Sequence, residues 1–187
     1  MSEPASNNIP DNIPYNIPIN VAGIINDSIT DGPGIRLTVF VQGCPHHCPG
    51  CHNPQTWPFS GGTPTQPDEI IERIRQNPLL SGVTLSGGEP MSQAAALLPL
   101  AQAIKQDSLE LAIYTGYTFE ELLQQDDPAV MQLLSLADTL IDGRYIADRR
   151  NLELCFRGSE NQRIIDLPAS LQAGQAVADT SDRWNCR

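Results

Sequence analysis

Residues 35–51 read IRLTVFVQGCPHHCPGC. The first seven, Ile35 to Val41, are rich in β-branched and aromatic residues, the composition of a buried strand. Directly after it come Cys44, Cys48 and Cys51, three thiols within eight residues. Three can hold three corners of a metal cluster but not four. Structural zinc sites and electron-carrying iron–sulfur clusters usually close with four protein ligands. A set of three therefore points to a fourth ligand that is a substrate or cofactor. Thiolate suits zinc or iron–sulfur. The zinc alternative would take its fourth ligand from His46, His47 or His52. His46 and His47 lie inside the tight loop and reach back to the same ion awkwardly, so spacing favours a cluster. All three histidines also read as ordinary surface residues.

Outward from this stretch, strand and helix signals alternate. Pro67 to Arg75 reads as a helix, with proline in its first turn, Asp68 and Glu69 at its positive end, and Ile70, Ile71 and Ile74 on one face. Gly82 to Leu85 is a strand. Met91 to Lys105 is helical, with Pro99 expected to bend or interrupt it. Leu109 to Tyr114 is a strand, Phe119 to Gln124 and Ala129 to Leu136 are helices, and Thr139 to Asp142 is a strand. Weaker strand signals follow at Leu152 to Phe156 and Arg163 to Leu167. Such alternation implies a mostly parallel sheet. There are too few strands for an eight-stranded barrel, so the expected fold is α/β, an open, partial (β/α) barrel.

Each strand is followed by a motif. The cysteines follow the first, Ser86-Gly87-Gly88-Glu89-Pro90 the second, Thr115-Gly116-Tyr117 the third and Asp142-Gly143 the fourth. In parallel α/β folds, sites form at the C-terminal ends of strands, so the four motifs should share one rim. Gly87 and Gly88 would let a ligand approach the backbone, and Glu89 could accept hydrogen bonds from an ammonium group. Asp31-Gly32-Pro33-Gly34 is a turn, and Arg36 has a carboxylate or a partner chain to pair with. Nothing in the composition of Arg157 to Arg163 assigns it a role.

The whole chain sets limits. Its 187 residues fit one domain with a sizeable core. A net charge of −11 argues against affinity for nucleic-acid backbones. No apolar run approaches a membrane span, and the N-terminus has neither the basic start nor the apolar core of a secretory signal. Five cysteines, three of them bunched, suit metal ligation in a reducing compartment, hence the cytoplasm. Cys155 reads as a buried structural cysteine and Cys186 as a residue with no specific role. Residues 1–20, with Asn-Ile-Pro units at 8–10, 12–14 and 16–18, read as a flexible arm. Residues 21–168 read as the catalytic domain and 169–187 as a peripheral tail.

Together these residues resemble the radical S-adenosylmethionine superfamily, whose signature is the spacing of Cys44, Cys48 and Cys51. Further segments resemble, within it, the family of activating proteins of anaerobic ribonucleoside-triphosphate reductase. These are Asp31 to Arg36, Cys51-His52-Asn53 with Thr56-Trp57, Ser86 to Pro90, Tyr114 to Tyr117, Ile141 to Tyr145 and Arg157 to Gln162, so the likeness runs from about Gly23 to Asp166. One departure is Gly50, where the superfamily often has an aromatic residue before the third cysteine; His52 follows it here.

The resemblance implies a 4Fe-4S cluster on the three cysteines. Its open iron would take the amino and carboxylate groups of S-adenosyl-L-methionine. Gly87, Gly88 and Glu89 would position the methionine end, and Gly50, Cys51 and His52 would lie at the adenine. A flavodoxin-like donor would supply one electron, and the resulting 5′-deoxyadenosyl radical would take hydrogen from a glycine of the reductase. The chemistry is centred on the cofactor, and no side chain need act as a general base. Alternatives are an activase of the pyruvate formate-lyase type, a small-molecule enzyme such as a deazaguanine synthase, or a zinc-binding module without catalysis.

Overall fold

The computed structural model describes residues 17–186. The expected first strand is β2 (Arg36–Val41). Both of its faces are buried: Leu37, Val39 and Val41 on one, Arg36 and Thr38 on the other. A strand buried on both faces belongs inside a sheet. It lies between β1 (Ile19–Ser28) and β4 (Gly82–Gly87), with β3 (Thr63–Thr65), β5 (Glu110–Tyr114), β6 (Thr139–Asp142) and β7 (Arg163–Asp166) completing one seven-stranded sheet in the order β3-β1-β2-β4-β5-β6-β7. The four central strands β2, β4, β5 and β6 run parallel. The edges β1, β3 and β7 pair antiparallel. The sheet is open, and its central parallel strands match the expected fold class.

Parallel neighbours need crossovers. These carry α1 (Pro67–Arg75), α2 (Ala94–Gln106), and the pair α3 (Phe119–Gln124) and α4 (Pro128–Leu136). α1 starts as its sequence suggests, with Pro67 in its first turn, and Glu69 Oε1 accepts from Gln66 N–H at 3.3 Å. Pro99 does not interrupt α2, which runs continuously from Ala94 to Gln106 and is preceded by a single 3₁₀ turn, Pro90–Gln93. Leu97, Leu98, Leu100, Ala101 and Ile104 are all buried around Pro99, and this packing holds the helix across the missing N–H.

Several expectations near the termini also change. Of the expected arm, residues 1–16 lie outside the described residues. Pro18 leads straight into β1, and Ile19 is fully buried, so the folded region starts two residues earlier than the composition suggested. Leu152 to Phe156 is a turn, not a strand: Leu152 is 81% exposed and Phe156 has φ +53°. The tail is not peripheral throughout. After α5 (Leu167–Ala173), the short helix α6 (Asp182–Asn185) buries Trp184 to 1% exposure. There the Trp184 ring meets Phe156 edge-on, with centroids 5.4 Å apart. Cys155 and Cys186 are joined as a disulfide. Neither is a free cysteine, because the fold returns the tail over the 154–158 turn.

Arg36 takes the carboxylate option. It is fully buried at the start of β2. Its Nε donates to Thr84 Oγ1 at 2.7 Å, Nη1 to Glu110 Oε2 at 3.1 Å and Nη2 to the Val83 carbonyl at 2.9 Å. Burial lowers its pKa, and Glu110 opposes that shift. Gly82 makes room: a Cβ there would stand 2.8 Å from both Nη atoms and 2.5 Å from the Glu110 carbonyl. Glu110 also accepts from Arg183 and from Trp184 Nε1, so one carboxylate at the start of β5 ties the start of β2 to the tail. Arg36→Ala should destabilise the protein by about 3–5 kcal/mol, because it removes one partner of a buried pair. Arg36→Lys should recover little, since an ammonium cannot reproduce the guanidinium fork. Urea unfolding of the metal-free protein measures both.

Candidate metal and cofactor site

The C-terminal ends of β2, β4, β5 and β6 carry the four motifs on one rim. After β2 the chain enters the cysteine loop. Its base is fixed by backbone bonds: Gly43 N–H to Thr56 O at 2.8 Å and Cys44 N–H to Trp57 O at 3.0 Å. The Gln42 amide spans the same loop, donating to Pro58 O at 2.7 Å. Cys44 is buried, Cys48 and Cys51 are half-buried, and all three are free thiols. Burial raises the pKa of Cys44 and of Cys48, so a metal taken up by these thiols would displace their protons.

The three thiols line one chamber of about 110 Å³ with Ser86, Gly87, Gly88 and Gly116. A larger cavity of about 390 Å³ adjoins it, walled by Asp31, His52, Tyr114, Phe156 and Arg157 among others. Cys51, Ser86, Tyr114, Tyr145 and Gln162 border both. The larger volume is that of a small-molecule site, and a thiol stands on the shared wall. Among the described residues, no three His, Cys, Asp or Glu side chains meet around one point as a single ion requires. Zinc would need ligands about 2.0–2.3 Å from one centre. Three free thiols that wall one chamber are the donor set that a 4Fe-4S cluster would take.

Glu89 behaves differently from its sequence reading. The carboxylate is fully buried. Its Oε1 accepts from Met91 N–H at 3.0 Å and Thr115 Oγ1 at 2.9 Å. Its Oε2 accepts from Gly116 N–H at 2.8 Å and His46 Nε2 at 2.8 Å. A carboxylate offers about four acceptor sites, and protein donors fill them. Glu89 therefore locks the cysteine loop and the end of β5 to the end of β4. His46, which read as a surface residue, is buried in this knot and stands edge-on to Tyr117 at 4.4 Å. Gly88 serves the same close approach. A Cβ there would lie 2.3 Å from the Gly43 carbonyl, which accepts from Glu89 N–H at 2.8 Å.

The other expected residues fall as follows. His52 is exposed, lines the larger cavity and lies 5.8 Å from the Tyr145 ring. His47 is exposed against Trp57. Gly50 is exposed at the loop's outer turn, with φ +76°. Asp142 faces away from the chambers: it caps α3 through Phe119 N–H and pairs with Arg163. Sequence reasoning missed His46, Thr115 and Gln162. Thr115 stood in a noted strand-end motif, but its contact with Glu89 had no local signal.

A family profile described as "4Fe-4S single cluster domain" matches residues 30–165. The chain is 37% identical to the anaerobic ribonucleoside-triphosphate reductase-activating protein of Escherichia coli (strain K12), over 74% of this chain and 93% of that one. It is 39% identical to the protein of the same name from Vibrio cholerae, over 73% and 90%. The pyruvate formate-lyase-activating enzyme of Clostridium pasteurianum is 36% identical, over 59% of this chain and 50% of its own.

Glu89→Gln should lower the stability of the metal-free protein by about 1–3 kcal/mol, because the amide must turn a donor toward His46 and the Gly116 N–H. In a chain of this size that is a fall of roughly 2–4 °C in Tm per kcal/mol, read by thermal unfolding before any iron is added.

Proposed function

The chain belongs to the family of anaerobic ribonucleoside-triphosphate reductase-activating proteins, iron–sulfur enzymes of the radical S-adenosylmethionine superfamily, and on that premise we propose how its own residues serve the activation. Cys44, Cys48 and Cys51 would hold the 4Fe-4S cluster, and S-adenosyl-L-methionine would occupy the larger cavity on the other side of Cys51. The observation that carries this is the shared wall: the chamber of three free thiols and a cavity of small-molecule size have Cys51 in common.

When bound, the cluster and S-adenosyl-L-methionine supply the one-electron reductive cleavage from which a glycyl radical on the reductase follows. The chain's part is to bind, orient and exclude water. Gly87 and Gly88 present backbone at the end of β4 to the methionine end. Glu89 positions that backbone through its hold on Gly116 and His46, not by direct ligation. Gly50, Cys51 and His52 lie on the adenine side, with His52 beside Tyr145. Burial of Cys44 and the Glu89 knot keep water from the rear of the chamber. The electron comes from a flavodoxin-like carrier. The activity is cytoplasmic, and the folded region from Ile19 onward carries it. No helix among the described residues is long and apolar enough to cross a membrane.

The breadth of the match favours the ribonucleotide reductase over pyruvate formate-lyase as target. The chain spans 93% of the Escherichia coli activating protein but half of the pyruvate formate-lyase activase.

Electron paramagnetic resonance of the anaerobically reconstituted, reduced protein tests the proposal, with S-adenosyl-L-methionine and the anaerobic reductase added. A glycyl-radical doublet on the reductase is expected, and Cys48→Ala should abolish it along with the cluster signal. A cluster signal that shifts with S-adenosyl-L-methionine, without a doublet, would move the search to another substrate. Full cluster content in Cys48→Ala would overturn the ligand assignment.

A further inference from the structure

Among the described residues, five cationic side chains are in ion pairs: Arg36, Arg75, Lys105, Arg163 and Arg183. The other five are in none: Arg73 lies on α1, and Arg144, Arg149, Arg150 and Arg157 fall together in one segment, residues 144–157. That segment holds two carboxylates, Asp148 and Glu153, in a chain whose net charge is −11. Arg144, Arg149 and Arg150 are exposed. Between them stand two exposed apolar side chains, Ile146 at 40% and Leu152 at 81%. Arginine with exposed aliphatic groups is a composition of protein interfaces.

The segment is also held in place. Ser159 Oγ, itself fully buried, accepts from Ile146 N–H at 3.2 Å. Asn161 Nδ2 donates to Arg144 O at 2.8 Å, and Glu160 N–H to Arg149 O at 2.9 Å. The motif that had no role from its composition thus anchors a platform, and a pre-formed surface loses little freedom on binding.

The platform's position selects its partner. The platform contributes Tyr145 to the wall of the larger cavity, and the residues that directly follow it add Leu154, Phe156 and Arg157. A protein seated on it lies over the cavity mouth. An electron carrier there would obstruct the entrance, whereas the outer turns of the cysteine loop at Pro45, His47 and Pro49 are exposed and offer it another approach. We infer that residues 144–153 dock the protein substrate, taking an acidic surface that flanks the glycine to be activated. This rests on the activase reading above.

The test uses the full chain, reconstituted, with dithionite as reductant and the anaerobic reductase as probe. In Arg149→Glu/Arg150→Glu, cleavage of S-adenosyl-L-methionine without reductase should equal wild type, which shows an intact fold and site. Affinity for the reductase should fall roughly tenfold or more, with a flatter salt dependence and proportionately slower glycyl-radical formation at limiting reductase. Leu152→Ser should weaken binding without changing the salt dependence. Wild-type affinity in the charge-reversed variant would overturn the inference. So would a defect seen only with a flavodoxin as reductant, which would assign the platform to the carrier. Loss of a wild-type dimer with unchanged reductase affinity would assign it to a second copy of this chain. Absence of any wild-type complex or radical would instead remove the activase reading, and this inference with it.

Discussion

One buried carboxylate organises the functional end of this molecule. A charge placed wholly out of water is tolerated only if its acceptor sites are filled. Glu89 meets that condition with donors from three separate places: its own turn, the end of β5 and the cysteine loop. The loop that carries Cys44, Cys48 and Cys51 is thus fixed by sheet-end chemistry of the protein itself. The requirement also explains the small residues nearby. The Glu89 N–H reaches the Gly43 carbonyl only because Gly88 has no side chain to keep them apart.

The opposite ends of the same parallel strands are tied in a comparable way. Arg36, the backbone of Val83, and Glu110 join the starts of β2, β4 and β5 in a second buried network. The two knots differ in what surrounds them. Around Glu89 are free thiols and two cavities; around Arg36 are Trp184 and closed packing, with no chamber among those described. Parallel α/β folds commonly divide in this way, with chemistry at the C-terminal rim and stability at the other.

Much of this was legible in the sequence where the signal is local. The strand at 36–41, the capped α1, the three cysteines and the strand-end positions of the motifs all follow from patterns within a few residues. What escaped depends on partners distant in the chain. His46 looks like a surface histidine until Glu89, 43 residues later, is beside it. β1 has a mixed burial pattern, with bulges against β2, so it has neither clean alternation nor a continuous apolar run. Leu152 to Phe156 has the composition of a strand but no strand to pair with, and forms a turn instead. The Cys155–Cys186 link spans 31 residues, and no spacing rule joins one such pair from sequence alone.

That link sets two demands against each other within one chain. Cys44, Cys48 and Cys51 are free thiols, and the proposed cluster requires them reduced, while Cys155 and Cys186 are joined. A milieu reducing enough to preserve the first set also works against the second. The tail has a fastening that does not depend on sulfur: the Trp184 ring buried against Phe156, and Trp184 and Arg183 on Glu110. Opening the disulfide would therefore leave the last turn of the chain seated on Phe156, whose carbonyl the Tyr114 hydroxyl also holds at 2.8 Å. The wall of the cavity there does not depend on the oxidation state of those two sulfurs.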